Sequence, residues 1–202
     1  MHILLTRPLE DCHEMILKFQ LLGHEISHMP LINVESKNYE SLNFSDFSGV
    51  IFTSANAIKF FNLRLIDKKI ICFCVGSATE KKAKSVGFQN IFCADGNVNN
   101  LKQLILSNFN SSDGKLLYVS GEIISNELDK ELISEGYNVK RIVNYTVKQI
   151  EKFNDKFIEK LKLKMPEIVY IYSQNSAISF LNLIKNYQLE NLWMNTNLMC
   201  IG

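Results

Sequence analysis

The chain has 202 residues, 47% of them hydrophobic, which is enough apolar material for one large or two small packed α/β domains and too much for a disordered segment. Lysine and arginine total 22 against 21 acidic residues, a net charge of +1, so no overall field draws the protein to nucleic acid or to an anionic membrane. Any anion binding has to be built locally.

The opening residues MHILLTRP lack the apolar core of a signal peptide and no run is long enough to span a bilayer, so a cytoplasmic protein is expected. Ile3-Leu4-Leu5 predicts a short buried strand. Arg7-Pro8 turns it into a helix with proline at a favoured first position, acidic Glu10, Asp11 and Glu14 near its start, and Cys12, Met15, Ile16, Phe19 and Leu22 at helical spacing. Gly23 stops that helix, one strand is predicted from His24 to Val34, and a polar crossover runs from Glu35 to Gly49. Val50 to Thr53 reads as a strand that stops at Ser54, followed by a helix carrying Ala57, Ile58, Phe61 and Leu65. The strand from Ile70 to Val75 ends at Gly76, and Ser77-x-x-Glu80 reads as a capping box opening the next helix.

Asn90 to Cys93 predicts a further strand, Ala94 to Asn97 a turn, and Leu101, Leu104 and Ile105 a helix that breaks at Ser111 to Gly114. Leu116 to Val119 is the next strand, ending in Ser120-Gly121, with a helix through Ile124, Leu128 and Leu132 to Gly136 and a strand from Tyr137 to Val147. Lys148 to Lys164 alternates lysines with Phe153, Phe157, Ile158 and Leu161, the pattern of an amphipathic helix with a solvated charged face. Ile168 to Tyr172 is a strand ending in Ser173, a helix follows, and Asn197 to Ile201 begins one more strand that reaches Gly202.

The five cysteines, Cys12, Cys72, Cys74, Cys93 and Cys200, lie in apolar runs with no CxxC pair and no histidine at ligand spacing, which predicts buried structural thiols and no metal site. Cys72 and Cys74 alternate along one strand and could share a face. His2, His13, His24 and His28 are scattered. There is no nucleophile elbow, no phosphate loop with lysine and no HExxH, and Val75-Gly76-Ser77-Ala78-Thr79 lacks the further glycines of a dinucleotide loop.

The second half repeats the first. Ser173 laid over Ser54, an offset of 119, matches Val169 with Val50, Asn175 with Asn56 and Phe180 with Phe61. Gly136 laid over Gly23 matches EISHMPLINV with NVKRIVNYTV, and Cys200-Ile201-Gly202 overlies Cys74-Val75-Gly76. Two similar halves predict two similar flavodoxin- or Rossmann-like α/β domains with parallel sheets. In the first half a helix, a strand and another helix follow Gly76; nothing follows Gly202, so the second copy is expected to lack its last elements.

The stretches ILLTRP, VIFTSANAI, CVGSAT, LLYVSGE, NYTV and IVYIYSQNSAISF, in that order and spacing, together resemble uroporphyrinogen-III synthase across essentially the whole chain. The resemblance implies two domains joined by two antiparallel connecting strands, Leu31 to Ser36 and Asn144 to Lys148. One domain would be residues 1–33 with 148–202 and the other an inserted domain of residues 34–147. It also implies the family's reaction, closure of the linear tetrapyrrole hydroxymethylbilane to uroporphyrinogen III with inversion of ring D and loss of water, in haem biosynthesis. The implied enzyme is a cofactor-independent lyase with no metal. A monomer is expected, with transient contact to the preceding pathway enzyme and no nucleic-acid or membrane partner.

Within that resemblance Tyr145 falls on the tyrosine of the family's connecting strand and is the expected proton donor or hydroxyl-positioning group, a role a neutral phenol can fill; its other reading is a packing aromatic. Arg7, Thr53, Ser54, Gly76, Ser77, Thr79, Ser120, Gly121 and Ser173 are the expected substrate-binding residues. Ser54, Thr79, Ser120 and Ser173 are expected at helix starts, where unpaired N–H groups and a partial positive charge suit the carboxylate arms of a bilane. Plain helix capping is the alternative for each hydroxyl, and a surface position the alternative for Arg7. The competing function is a two-domain α/β ligand-binding or sensor protein that keeps the binding surface without the chemistry.

Overall fold

The computed structural model describes residues 1–200. In chain order the main elements are β1 (His2–Leu5), α1 (Leu9–Leu21), β2 (Glu25–His28), β3 (Ile32–Ser36), β4 (Phe47–Phe52), α2 (Ala55–Lys59), β5 (Ile71–Val75), α3 (Ser77–Ser85), β6 (Asn90–Ala94), α4 (Val98–Asn108), β7 (Lys115–Gly121), α5 (Leu128–Ser134), β8 (Asn138–Gln149), α6 (Asp155–Leu163), β9 (Ile168–Ile171), α7 (Gln174–Asn186) and β10 (Asn197–Cys200). They form two compact units, Met1–Asn33 with the chain from Lys148 onward, and Val34–Val147. The chain leaves the first unit within β3 and returns within β8. Ile201, the last residue of the strand predicted from Asn197, lies outside the described residues, as does Gly202.

The larger unit is a parallel sheet of order β8-β7-β4-β5-β6, with β3 added beside β8. Parallel sheets are covered on both faces, so their strands read as continuous apolar runs, and Val50, Ile51 and Phe52 are all fully buried. Alternation sends Val50, Phe52, Cys72 and Cys74 into one cluster with Ala57 and Ile58 of α2 and Ala83 of α3. Ile51, Phe73 and Tyr118 pack on the other face with Leu101 and Ile105 of α4 and Leu128 and Leu132 of α5. The smaller unit is a parallel sheet of order β10-β9-β1-β2. Leu4 and Val169 pack there with helices α6 and α7 on one face, and Ile3 and Leu5 with α1 on the other.

The internal repeat is visible strand by strand, since β10-β9-β1-β2 corresponds in order to β5-β4-β7-β8. In each sheet the connections diverge between two central strands, β9 and β1 in one and β4 and β7 in the other. Ligands of open α/β sheets bind beyond the carboxyl ends of the strands at such a switch point.

Four predicted elements differ from those observed. The run from His24 to Val34 is two strands in two sheets, because β2 pairs with β1 while β3 lies beside β8. Between them Pro30 has no N–H for a ladder, while Met29 and Leu31 donate to Leu5 O and Thr6 O. Helix α2 ends at Lys59 and leaves both Phe61, buried, and Leu65, exposed, outside it; Tyr39 Oη accepts the Asn62 N–H at 3.1 Å, drawing the chain off the helical path. Ile124 precedes α5, which starts only at Leu128. The segment predicted as a helix from Lys148 is still strand to Gln149, and α6 begins after Asn154, whose side chain accepts the Lys156 N–H.

Candidate functional site

The carboxyl ends of β4, β5, β7 and β8 in the larger unit carry most of the expected site residues along one rim. Thr53 and Ser54 follow β4; the Thr53 hydroxyl meets the phenol of Tyr118 at 3.3 Å and Ser54 caps α2, accepting the Asn56 N–H at 3.2 Å. Gly76 follows β5 with φ of +78°, a conformation glycine adopts without strain, and its N–H donates to Ala94 O. Ser120 and Gly121 end β7, and Tyr145 sits opposite Gly121 on β8.

A bulge fixes that last pair. Ser120 faces Val143 while Gly121 faces Tyr145, so Asn144 is an extra residue on β8 and the alternation reverses there. Tyr145 consequently packs in the same cluster as Ile142, three residues earlier. Its ring lies directly over Gly121, where an added Cβ would fall 2.7 Å from Cζ and 2.9 Å from the phenol oxygen. Phe60, just after α2, stacks on the same ring with centroids 6.4 Å apart. Phe60 also lines, with Lys37, Tyr39 and Asn62, a cavity of about 350 Å³. Asn144 is fully buried and donates to Ala57 O at 2.7 Å, fastening α2 to β8 beneath the tyrosine.

Two expected features are not where the sequence placed them, and Thr79, though at a helix start as expected, is buried. Ser120 is not at a helix start: it lies inside β7, is 1% exposed, donates to Gly121 O and accepts from Arg141 Nε at 2.8 Å. Thr79 is the third residue of α3 and 4% exposed. The Ser77 capping box does not form; Gly76 is the cap position, Ser77 is the exposed first residue of α3, and Glu80 pairs with Lys84 one turn on.

Arg7 and Ser173 belong to the smaller unit and flank its own switch point, after β1 and β9. The Arg7 guanidinium lies 4.4 Å over the ring of Tyr172, and its carbonyl accepts from His28 Nε2 at 2.7 Å. Burial raises the Tyr172 phenol above its ordinary value, opposed by the Arg7 charge. Ser173 caps α7, its hydroxyl accepting the Ser176 N–H at 3.2 Å.

Two residues of the larger rim were not anticipated. Tyr118 is buried below the switch point with its phenol pushed up by desolvation, against the pull of Thr53 and Arg141. Arg141 reaches from β8 to Ser120, Gly121 and Glu122. A signal for it exists, since Lys140-Arg141 in a strand must send one cation to each face.

Among the described residues no group of histidine, cysteine or acidic side chains could hold a metal ion, and no helix is long and apolar enough to cross a membrane. Strand order and rim define an α/β protein of two parallel-sheet units whose candidate ligand groups sit at carboxyl-end switch points. The sequence model of the family described as Uroporphyrinogen-III synthase HemD matches residues 13–202. The chain belongs to the uroporphyrinogen-III synthase family, cyclising lyases of tetrapyrrole and haem biosynthesis.

Solved structures agree at the level of fold. Uroporphyrinogen-III synthetase from Helicobacter pylori is similar with a TM-score of 0.58 and 17% identity, covering 98% of this chain and 91% of that one. A mutant uroporphyrinogen III synthase from Thermus thermophilus gives a TM-score of 0.57 and 12% identity, covering 100% of this chain and 85% of that one. No curated protein sequence gives a significant match.

Proposed function

We propose that this chain closes hydroxymethylbilane to uroporphyrinogen III at the carboxyl-end rim of the 34–147 unit, with Tyr145 as the catalytic residue. The observation that carries the reading is the phenol of Tyr145 resting on Gly121 and stacked with the Phe60 ring, at the last pair of the β7–β8 register on the carboxyl-end rim. A neutral phenol in that position donates a proton or hydrogen bond to the departing hydroxyl of the bilane. Loss of water leaves an azafulvene, which the substituted carbon of ring D attacks to give a spiro intermediate; that intermediate fragments and recloses with ring D inverted. The substrate supplies both nucleophile and electrophile, so the protein's part is to hold the chain folded and to manage one proton.

Carboxylate arms are bound by Thr53, Ser54 and Gly121 at the switch point and by the amide of exposed Ser77 at the head of α3, where the turn at Gly76 lets an arm approach the backbone. Thr79 and Ser120, both buried, support the rim from beneath. In the smaller unit Arg7 and Ser173 offer a second set of donors. The protein acts in the cytoplasm as a monomer, receiving the unstable bilane by transient contact with the enzyme that makes it.

The test is incubation with enzymatically made hydroxymethylbilane and chromatographic separation of product isomers. Isomer III is expected. Spontaneous closure to isomer I alone would refute catalysis and leave a binding protein of the same fold.

A further inference from the structure

Arg141 combines three features. It is half-buried on β8, three hydrogen bonds fix it at the rim, and every one of its acceptors is neutral. Nε donates to Ser120 Oγ at 2.8 Å, and one terminal nitrogen donates to Gly121 O at 3.0 Å and Glu122 O at 3.3 Å. The other terminal nitrogen, Nη1, makes no hydrogen bond within the described residues. The nearby carboxylates do not neutralise it. Glu122 is committed to Lys37 at 2.6 Å and Thr146 at 2.8 Å, and Asp129, whose buried Oδ1 has no hydrogen-bond partner, is not joined to Arg141 by any ion pair among the described residues. Its strand neighbour Lys140, in contrast, pairs with Glu40.

A partly desolvated guanidinium without a counter-ion is costly unless an anion arrives, and its planar fork suits a carboxylate better than any other side chain. We propose that Arg141 binds one carboxylate arm of the substrate at the switch point between β4 and β7. Its Nε and Nη2 bonds hold the fork in place, and Nη1 meets the arm. The side chain thereby sets which arm lies beside Tyr145, because the Gly121 carbonyl it holds belongs to the residue under the tyrosine ring. The inference rests on the bilane lying along this rim.

The experiment measures initial rates of uroporphyrinogen III formation against bilane concentration for wild type, R141Q, R141K and Y145F, with melting curves for each. R141Q keeps a planar donor for Ser120, loses the bond to Gly121 and carries no charge; R141K keeps the charge without the fork. Expected are a KM raised about ten-fold or more in R141Q with kcat within a few-fold of wild type, a KM in R141K recovering at least half of that loss, and a KM less sensitive to salt in R141Q than in wild type. An unchanged KM in R141Q overturns the proposal. So does equal impairment of R141Q and R141K with equal losses of melting temperature, which would make Arg141 a structural clamp only. If Y145F retains wild-type kcat, the rim itself is misassigned; if Y145F is slow and R141Q binds normally, only the arginine's role fails.

Discussion

Gly121→Ala tests the geometry on which the proposed chemistry depends. The added Cβ would stand 2.7 Å from Tyr145 Cζ and 2.9 Å from Cε2 and the phenol oxygen, whereas carbon atoms rest about 3.5–4.0 Å apart. The ring must withdraw by about 1 Å from Gly121, which disturbs its stacking with Phe60. Overpacking of this kind costs about 1–3 kcal/mol, which melting measured by circular dichroism would show. A displacement of that size at a reacting group is worth about 10²-fold in rate, so kcat for uroporphyrinogen III is expected to fall by one to two orders of magnitude in a protein that still folds. In the Tyr145→Phe background the same alanine should change kcat little, because the hydroxyl it displaces is already absent. A folded Gly121→Ala enzyme with wild-type kcat would refute the placement of Tyr145 at the reacting centre.

Tyr145→Phe by itself is expected to lower the rate of isomer III formation about ten-fold or more, read by product chromatography. Phe52→Ala removes a fully buried ring that packs edge-on against Phe61 and Phe88, and urea titration should show a loss of about 3–5 kcal/mol. In the native protein a thiol reagent at pH 8 should modify exposed Cys200 quickly and spare Cys72, whose thiol burial pushes up to about 12; rapid labelling of Cys72 would contradict the packing of β5. Glu122 is held below the usual carboxylate range by its hydrogen bond to Lys37 and then by that to Thr146. Its contribution is therefore present above the ordinary carboxylate pKa and lost as pH falls through the lowered folded value. Glu122→Gln should lower the melting temperature slightly above pH 6 and flatten the acid limb, so that the variant and wild-type curves converge as pH falls through the lowered folded value.

Much of the fold was legible because parallel strands buried on both faces must be continuous apolar runs, and Val50 to Phe52, Leu116 to Val119 and Ile168 to Ile171 are such runs. The turn residues after them were legible for a related reason: a strand that enters a helix in a short loop needs a small or capping residue, as Ser54, Gly76 and Ser173 supply. The offsets between the two halves likewise forecast two sheets with corresponding strand orders.

Other features depend on partners distant in sequence, which local pattern does not encode. Residues 24–34 read as one extended run, and only pairing of β2 with β1 and of β3 beside β8 divides it at Pro30. Ser120 resembles every other serine after a strand, yet its hydroxyl is consumed by Arg141 from the neighbouring strand, twenty-one residues on. The bulge at Asn144 leaves no mark in NYTV, although it decides that Tyr145 shares a face with Ile142 and rests on Gly121. Sequence alone determined which strands end in groups able to meet an anion. Tertiary structure decided which of those groups stay open at the rim and which are spent holding it together, because hydrogen bonds between strands are set by register and local composition does not fix register.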